Sequence, residues 1–169
     1  MLYNKKLLFV SSNISSTQTG GGVCSLRNLD MCRRILGEEN VELYALKAFS
    51  FTGGTLITKL IFILKALLKL FCGYSNGSTQ KTDKEIVRIA KEGKFDFVFI
   101  DSSLNGHLVK SLNLEATGQV ICFFHNCERS MVICQWKTGN ILSIIRLYAV
   151  TMNENMTCKY ADRIIVLNK

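Results

Sequence analysis

Residues 5–29 read KKLLFVSSNISSTQTGGGVCSLRNL, and the order of their parts decides the fold. A nearly continuous apolar run, Lys6–Ser12, passes through a polar turn ending in Gly20-Gly21-Gly22 into a helix-length segment, Val23–Leu36. Apolar residues that follow one another, rather than alternate, mark a strand covered on both faces, as in a parallel sheet. Four further short apolar runs follow: Val41–Leu46 (VELYAL), Phe95–Asp101 (FDFVFID), Gln119–Phe124 (QVICFF) and Arg163–Leu167 (RIIVL). Helix-length segments separate them at Leu56–Phe71, Lys84–Glu92, Leu104–Leu112 and Asn140–Tyr160. Such alternation predicts right-handed crossovers and an α/β fold with a doubly wound parallel sheet. Gly73–Thr82 (GYSNGSTQKT) reads as a flexible loop.

Composition narrows the function classes. A chain of 169 residues is about one domain, here taken as residues 1–169. It has 48% hydrophobic and 20% charged residues, which argues against disorder and against a fibrous repeat. Lys+Arg 21 against Asp+Glu 13 leaves +8, a surplus that favours nucleic acid, anionic lipid or phosphorylated ligands. The aromatic residues sit in the apolar runs, with no basic segment interleaving them, which argues against nucleic acid. The seven cysteines contain no C-x-x-C pair, and only His107 and His125 are there to help them. Reduced thiols in a cytoplasmic protein, with no metal, are the expectation. Leu7-Leu8-Phe9-Val10 is too short for a signal peptide core, and no run of about 18 uncharged apolar residues exists to span a membrane.

Ligands of open parallel sheets gather at the carboxyl ends of the strands. After the first strand, Gly20, Gly21 and Gly22 allow main-chain N–H groups near a ligand, and the helix start favours a phosphate; the alternative is a plain turn. Val23-Cys24 follow where a nucleoside-triphosphate loop needs Lys and Ser/Thr. Contiguous glycines, and a second strand ending Ala45-Leu46-Lys47, argue against a dinucleotide. After the third strand, Asp101 or Ser102 either caps the next helix or touches a ligand. His107, inside that helix, reads as a solvated surface residue. After the fourth strand come His125-Asn126-Cys127-Glu128-Arg129, the richest polar cluster of the chain. His125 there either meets a ligand or makes a structural hydrogen bond.

Thr55–Tyr74 (TLITKLIFILKALLKLFCGY) is amphipathic. At 100° per residue Leu56, Ile57, Leu60, Ile63, Leu64, Leu67, Leu68 and Phe71 cover an arc of roughly 120° centred near Leu60, which Ile61 and Cys72 widen. Lys59, Lys65 and Lys69 lie on the other side, together with Phe62. Two readings stay open: a helix packed on the sheet, or an interfacial helix whose lysines meet anionic headgroups.

Together KKLLFVSSNISSTQTGGGVCSLRNL, FDFVFIDSS, HNCE and YADRIIVLN resemble, in order and spacing, the N-terminal half of GT-B glycosyltransferases of the family-four type. The likeness covers almost the whole chain. It implies a Rossmann-like, acceptor-side domain facing a C-terminal donor-binding domain that these residues do not include. It further implies retaining transfer of a sugar from a nucleotide-sugar donor to a lipid-linked or polysaccharide acceptor, with no cofactor beyond that co-substrate and no metal. Gly20–Gly22 would lie near the donor diphosphate, and His125 would face the cleft as the catalytic contact to the transferred sugar or the acceptor hydroxyl. Asn126, Glu128, Asp101 and Ser102 would line the substrate side. In that family the nucleotide is held chiefly by the other domain, so this chain alone should turn over little. Asn168 stands where the family usually has serine. A second possibility is a non-catalytic, membrane-docked acceptor-binding subunit whose donor half is a separate chain. The enzyme reading needs the glycine turn and the imidazole on one rim of the sheet, and the imidazole must not be sealed inside.

Overall fold

Five of the apolar runs form strands in the computed structural model, which describes residues 4–14, 19–47, 53–75, 77–115, 118–139 and 142–167. They are β1 (Leu7–Ser11), β2 (Val41–Ala45), β3 (Phe97–Ile100), β4 (Gln119–Phe124) and β5 (Arg163–Val166). All pair in parallel, in the order β2-β1-β3-β4-β5. The helices are α1 (Gly20–Leu36), α2 (Leu56–Phe71), α3 (Gln80–Gly93), α4 (Gly106–Glu115), α5 (Glu128–Lys137) and α6 (Leu142–Tyr160). This is the doubly wound α/β class.

Register sorts the side chains onto two faces. Leu7, Phe9, Phe99 and Phe123 share one face with Leu29, Cys32 and Leu36 of α1, and the Phe9 and Phe99 rings stack 5.0 Å apart. Leu8, Val10, Val98, Ile100, Val120 and Cys122 share the other with Ile86, Val87 and Ala90 of α3 and Leu108, Val109 and Leu112 of α4. Both faces of β1, β3 and β4 are therefore apolar, which is why those runs do not alternate. The exception is β5, an edge strand exposed along its whole length.

Several helix starts differ from the sequence reading. The glycines do not precede α1; they are its first turn, capped by Thr19, whose Oγ1 accepts from the Gly22 N–H at 3.1 Å. The start of α3 lies at Gln80, inside the expected loop, because Thr79 and Thr82 form a reciprocal capping box. The helix expected from Leu104 begins two residues later. The Leu104 N–H bonds to Ser102 Oγ instead, while the Gly106 N–H donates to Asn153 Oδ1 at 2.8 Å. Asn153, on α6, also donates to the Gly73 carbonyl, so one buried amide joins three segments.

The helix α5 had no expectation at all. Its own residue before the first turn, Cys127, supplies no side-chain cap. Glu154 of α6 does so from 26 residues away, accepting from the Glu128 N–H at 3.0 Å. The Arg129 N–H donates to the same oxygen at 3.4 Å; burial pushes the Glu154 pKa up, and these two amide bonds pull against it.

Candidate functional site

The order of the strands places β2 on one side of β1 and β3 on the other, so the winding reverses between β1 and β3. Crevices that take ligands open at the carboxyl ends of such a strand pair. Here the pair ends in Ser11 and, one residue past β3, Asp101.

Asp101 is fully buried and surrounded by donors. Ser11 Oγ donates to Oδ2 at 3.0 Å, Asn28 Nδ2 of α1 donates to Oδ1 at 3.1 Å, and His125 Nε2 lies 3.1 Å from Oδ1. His125 Nε2 is also 3.1 Å from the Asp101 carbonyl oxygen. Two acceptors facing one ring nitrogen fix the proton on Nε2. Burial alone would lower the His125 pKa, but the Asp101 hydrogen bonds and charge, with Glu128 adding, outweigh it and raise it above the ordinary range. The imidazole also sets its edge against the Phe123 ring at 4.9 Å.

The glycine turn belongs to the same rim. Ser11 Oγ accepts from the Asn13 N–H at 3.1 Å, and the Asn13 amide lies 3.7 Å from where a Gly21 Cβ would stand. A hydrogen-bonded chain thus runs from the Asn13 N–H through Ser11 and Asp101 to His125, and the Asn13 side chain stands in van der Waals range of Gly21. The first turn of α1 carries no acidic residue of its own, which leaves the partial positive charge of the helix start unopposed from within that turn.

The imidazole is not sealed, being 12% exposed, yet both nitrogens turn inward. Nε2 is held by Asp101, and Nδ1 is shielded without a hydrogen-bond partner among the described residues. The expected cleft-facing histidine is thus a half-buried one. Comparisons with known protein families, with curated proteins and with solved structures find no match for the chain. Function is therefore read from these residues alone.

The other expected contacts divide. Asn126 is exposed on the rim and Glu128 half-buried beside His125. Asp101 does not line an open surface: it is fully buried, with Ser11, Asn28 and His125 around its carboxylate. Ser102 is buried too, and its Oγ accepts the Leu104 N–H, so it serves the turn into α4. His107 is not solvated; it stacks on Tyr74 at 4.8 Å, and burial lowers its pKa. The residues missed were Ser11, Asn13 and Asn28. The signal for Asn28 was a polar residue on the helix face that also carries Ser25, Leu29, Cys32 and Leu36. Cys24 and Cys32 have raised pKa values, through burial first and then the Asp101 charge, the latter to about 11, so neither is a thiolate nucleophile at neutral pH. Among the described residues no group of three His, Cys, Asp or Glu side chains is placed to hold a metal ion.

The apolar arc of α2 does not pack on the sheet. No α2 residue is buried: Leu56 is 85%, Leu60 68% and Leu64 58% exposed, with Ile57, Ile63, Leu68 and Phe71 exposed beside them. The helix rests mainly on the other side, where Phe62, Ala66, Lys69 and Leu70 are half-buried, and of the arc Leu67 is half-buried with them. Lys59 and Lys65 stay exposed, whereas Lys69 turns toward the protein, because it shares the Phe62 side. Among the described residues no helix is long and apolar enough to cross a membrane.

Glycine at positions 20 and 21 is not demanded by the fold. Both lie within a helix, neither has a positive φ, and a Cβ at Gly20 would meet nothing within 4 Å among the described residues. Alanine is the better helix former by about 0.5–1 kcal/mol per site. Gly20→Ala/Gly21→Ala is accordingly expected to raise the urea midpoint while weakening nucleoside-diphosphate binding, measured by calorimetry. A stabilised variant with unaltered binding would mark the turn as purely structural.

Proposed function

We propose that this chain is the acceptor-side domain of a retaining glycosyltransferase. The enzyme moves a sugar from a nucleotide-sugar donor to a lipid-linked or polysaccharide acceptor at the cytoplasmic face of an anionic membrane. The observation that carries this reading is the hydrogen-bonded chain at the β1/β3 switch point, which ends in an aspartate-backed imidazole and has the first turn of α1 beside its other end.

Charge is what such a rim can supply. In retaining transfer the acceptor oxygen attacks the anomeric carbon from the leaving group's own face, so catalysis depends on stabilising the departing diphosphate and on positioning the acceptor. The N–H groups of Gly20 and Gly21, in the first turn of α1, are suited to phosphate oxygens. His125, with its raised pKa, carries positive charge for part of the time at neutral pH, and Asp101 fixes its tautomer and ring plane. Nδ1 is the nitrogen left for a sugar or acceptor hydroxyl, reached when the groups shielding it move aside. Asn126 and Glu128 then flank the acceptor.

Membrane docking is supported by the outward apolar arc of α2 with Lys59 and Lys65 at its margin. The shielded Nδ1 favours a second reading: an acceptor-binding subunit that does no chemistry.

Transfer of label from radiolabelled nucleotide-sugars into lipid or polysaccharide, by the polypeptide that contains this chain, separates the two. His125→Ala is expected to lower the rate by about 100-fold or more for a group assisting the reaction. An unchanged rate would leave only the binding role, and no transfer from any common donor by the unaltered protein would overturn the enzyme reading.

A further inference from the structure

Behind α2 lies a cavity of about 450 Å³, on the side away from the apolar arc. This is within the roughly 300–1,000 Å³ of small-ligand sites. Its walls are of two kinds. Ala66 and Leu70, from the inner side of α2, and the Tyr74 ring make an apolar wall. Lys47, just past β2, and Lys69 bring positive charge, and Ser75, Thr79 and Thr82 bring hydroxyl groups. Lys47 is exposed at this rim. The acidic group nearest the start of α3 is Asp83. It is buried behind Ser78, which donates to it at 2.6 Å; its other oxygen is shielded and has no hydrogen-bond partner among the described residues, and the residue also lines the neighbouring cavity between α3 and α4. Burial pushes its pKa up to about 6 against the opposing Ser78 bond, so its charge is partly removed in mildly acidic solution.

An apolar wall with cationic and hydroxyl groups at one end matches a molecule that is anionic at one end and hydrocarbon at the other. We propose that this cavity takes the phosphate-bearing head of an anionic lipid, its phosphate on Lys47 and Lys69 and its first chain carbons against Ala66, Leu70 and Tyr74. Continuity supports that occupant, since α2 is at once the wall of the cavity and the carrier of the outward apolar arc. A lipid seated here lies alongside the helix that enters the same leaflet. The inference rests on the membrane reading of α2 and names the lipid class that the reading left open.

The probe is dihexanoyl phosphatidic acid below its micellar concentration, followed by amide chemical shifts. Saturable shifts at Ser78–Lys81 are expected. Lys47→Gln should weaken binding about tenfold, the usual scale for a hydrogen bond to a charged group. Ala66→Phe, which fills the apolar wall, should abolish it. Lys47 is exposed, so its variant keeps the test intact if Ala66→Phe fails to fold. Glycerol 3-phosphate and dihexanoyl phosphatidylcholine should each bind at least tenfold more weakly. Equal binding of glycerol 3-phosphate would mean a free-phosphate site, and equal binding of the choline lipid an uncharged apolar one; either overturns the proposal, as would shifts confined to other residues. Leu60→Ser/Leu64→Ser should leave this titration unchanged. Loss of the cavity titration with vesicle docking intact would sink the cavity alone, and the reverse would sink the docking reading alone.

Discussion

Asp101→Ala should lower the unfolding free energy by about 3–5 kcal/mol, the range for breaking a buried, hydrogen-bonded charge cluster. Three donors, on Ser11, Asn28 and His125, lose their common acceptor, and the first two are buried. β1, α1 and the end of β4 are joined through this carboxylate, so the loss is spread over the rim rather than confined to one loop. Urea titration reads it. Asp101→Asn should cost less, since its shape is kept while one of its two acceptor oxygens becomes a donor. A companion effect appears with pH. His125 has a raised pKa in the fold, so the folded state binds the proton more tightly than the unfolded one. Its contribution is fully present below about pH 6.5 and is lost as pH rises through the folded value. His125→Asn should flatten the stability profile in that window. An equal slope in the variant would show that the proton resides elsewhere.

Leu60→Ser/Leu64→Ser should weaken docking on vesicles containing phosphatidylserine by 100-fold or more, since each leucine that enters the acyl boundary contributes about 1.5–3 kcal/mol. Lys59→Gln/Lys65→Gln should lose roughly 1 kcal/mol per lysine, on anionic vesicles only. Sedimentation with vesicles reads both. Because Leu60 and Leu64 make few contacts within the fold, the melting temperature should stay where it was. A fall in melting temperature with docking unchanged would mean that the arc is covered by protein.

The sheet was legible because β1, β3 and β4 lie between two helical layers and so read as unbroken apolar runs. Helix starts were less legible. Thr79 and Thr82 resembled loop residues until their reciprocal bonds were seen, and α5 depends on Glu154, a cap no local pattern can announce. The arc of α2 was plain in the sequence, but the direction in which it points was not, because an apolar face looks the same whether it meets a sheet or solvent. His125 stood out by its place after β4. Its restraint could not be read, since Asp101 reaches it across 24 residues and carries Ser11 and Asn28 as well. Asn28 was visible as a polar residue on an inward helix face, and Ser11 as the small polar end of an apolar run.

The central claim is that the β1/β3 rim receives a sugar nucleotide, and a protein-observed resonance titration with UDP-glucose, UDP-N-acetylglucosamine and GDP-mannose tests it most directly. Shifts should cluster at Ser11, Asn13, Gly20–Gly22 and His125–Glu128, and diminish in Gly20→Ala/Gly21→Ala. No shift at millimolar ligand, or shifts gathered on β5 and the outer face of α5, would contradict it.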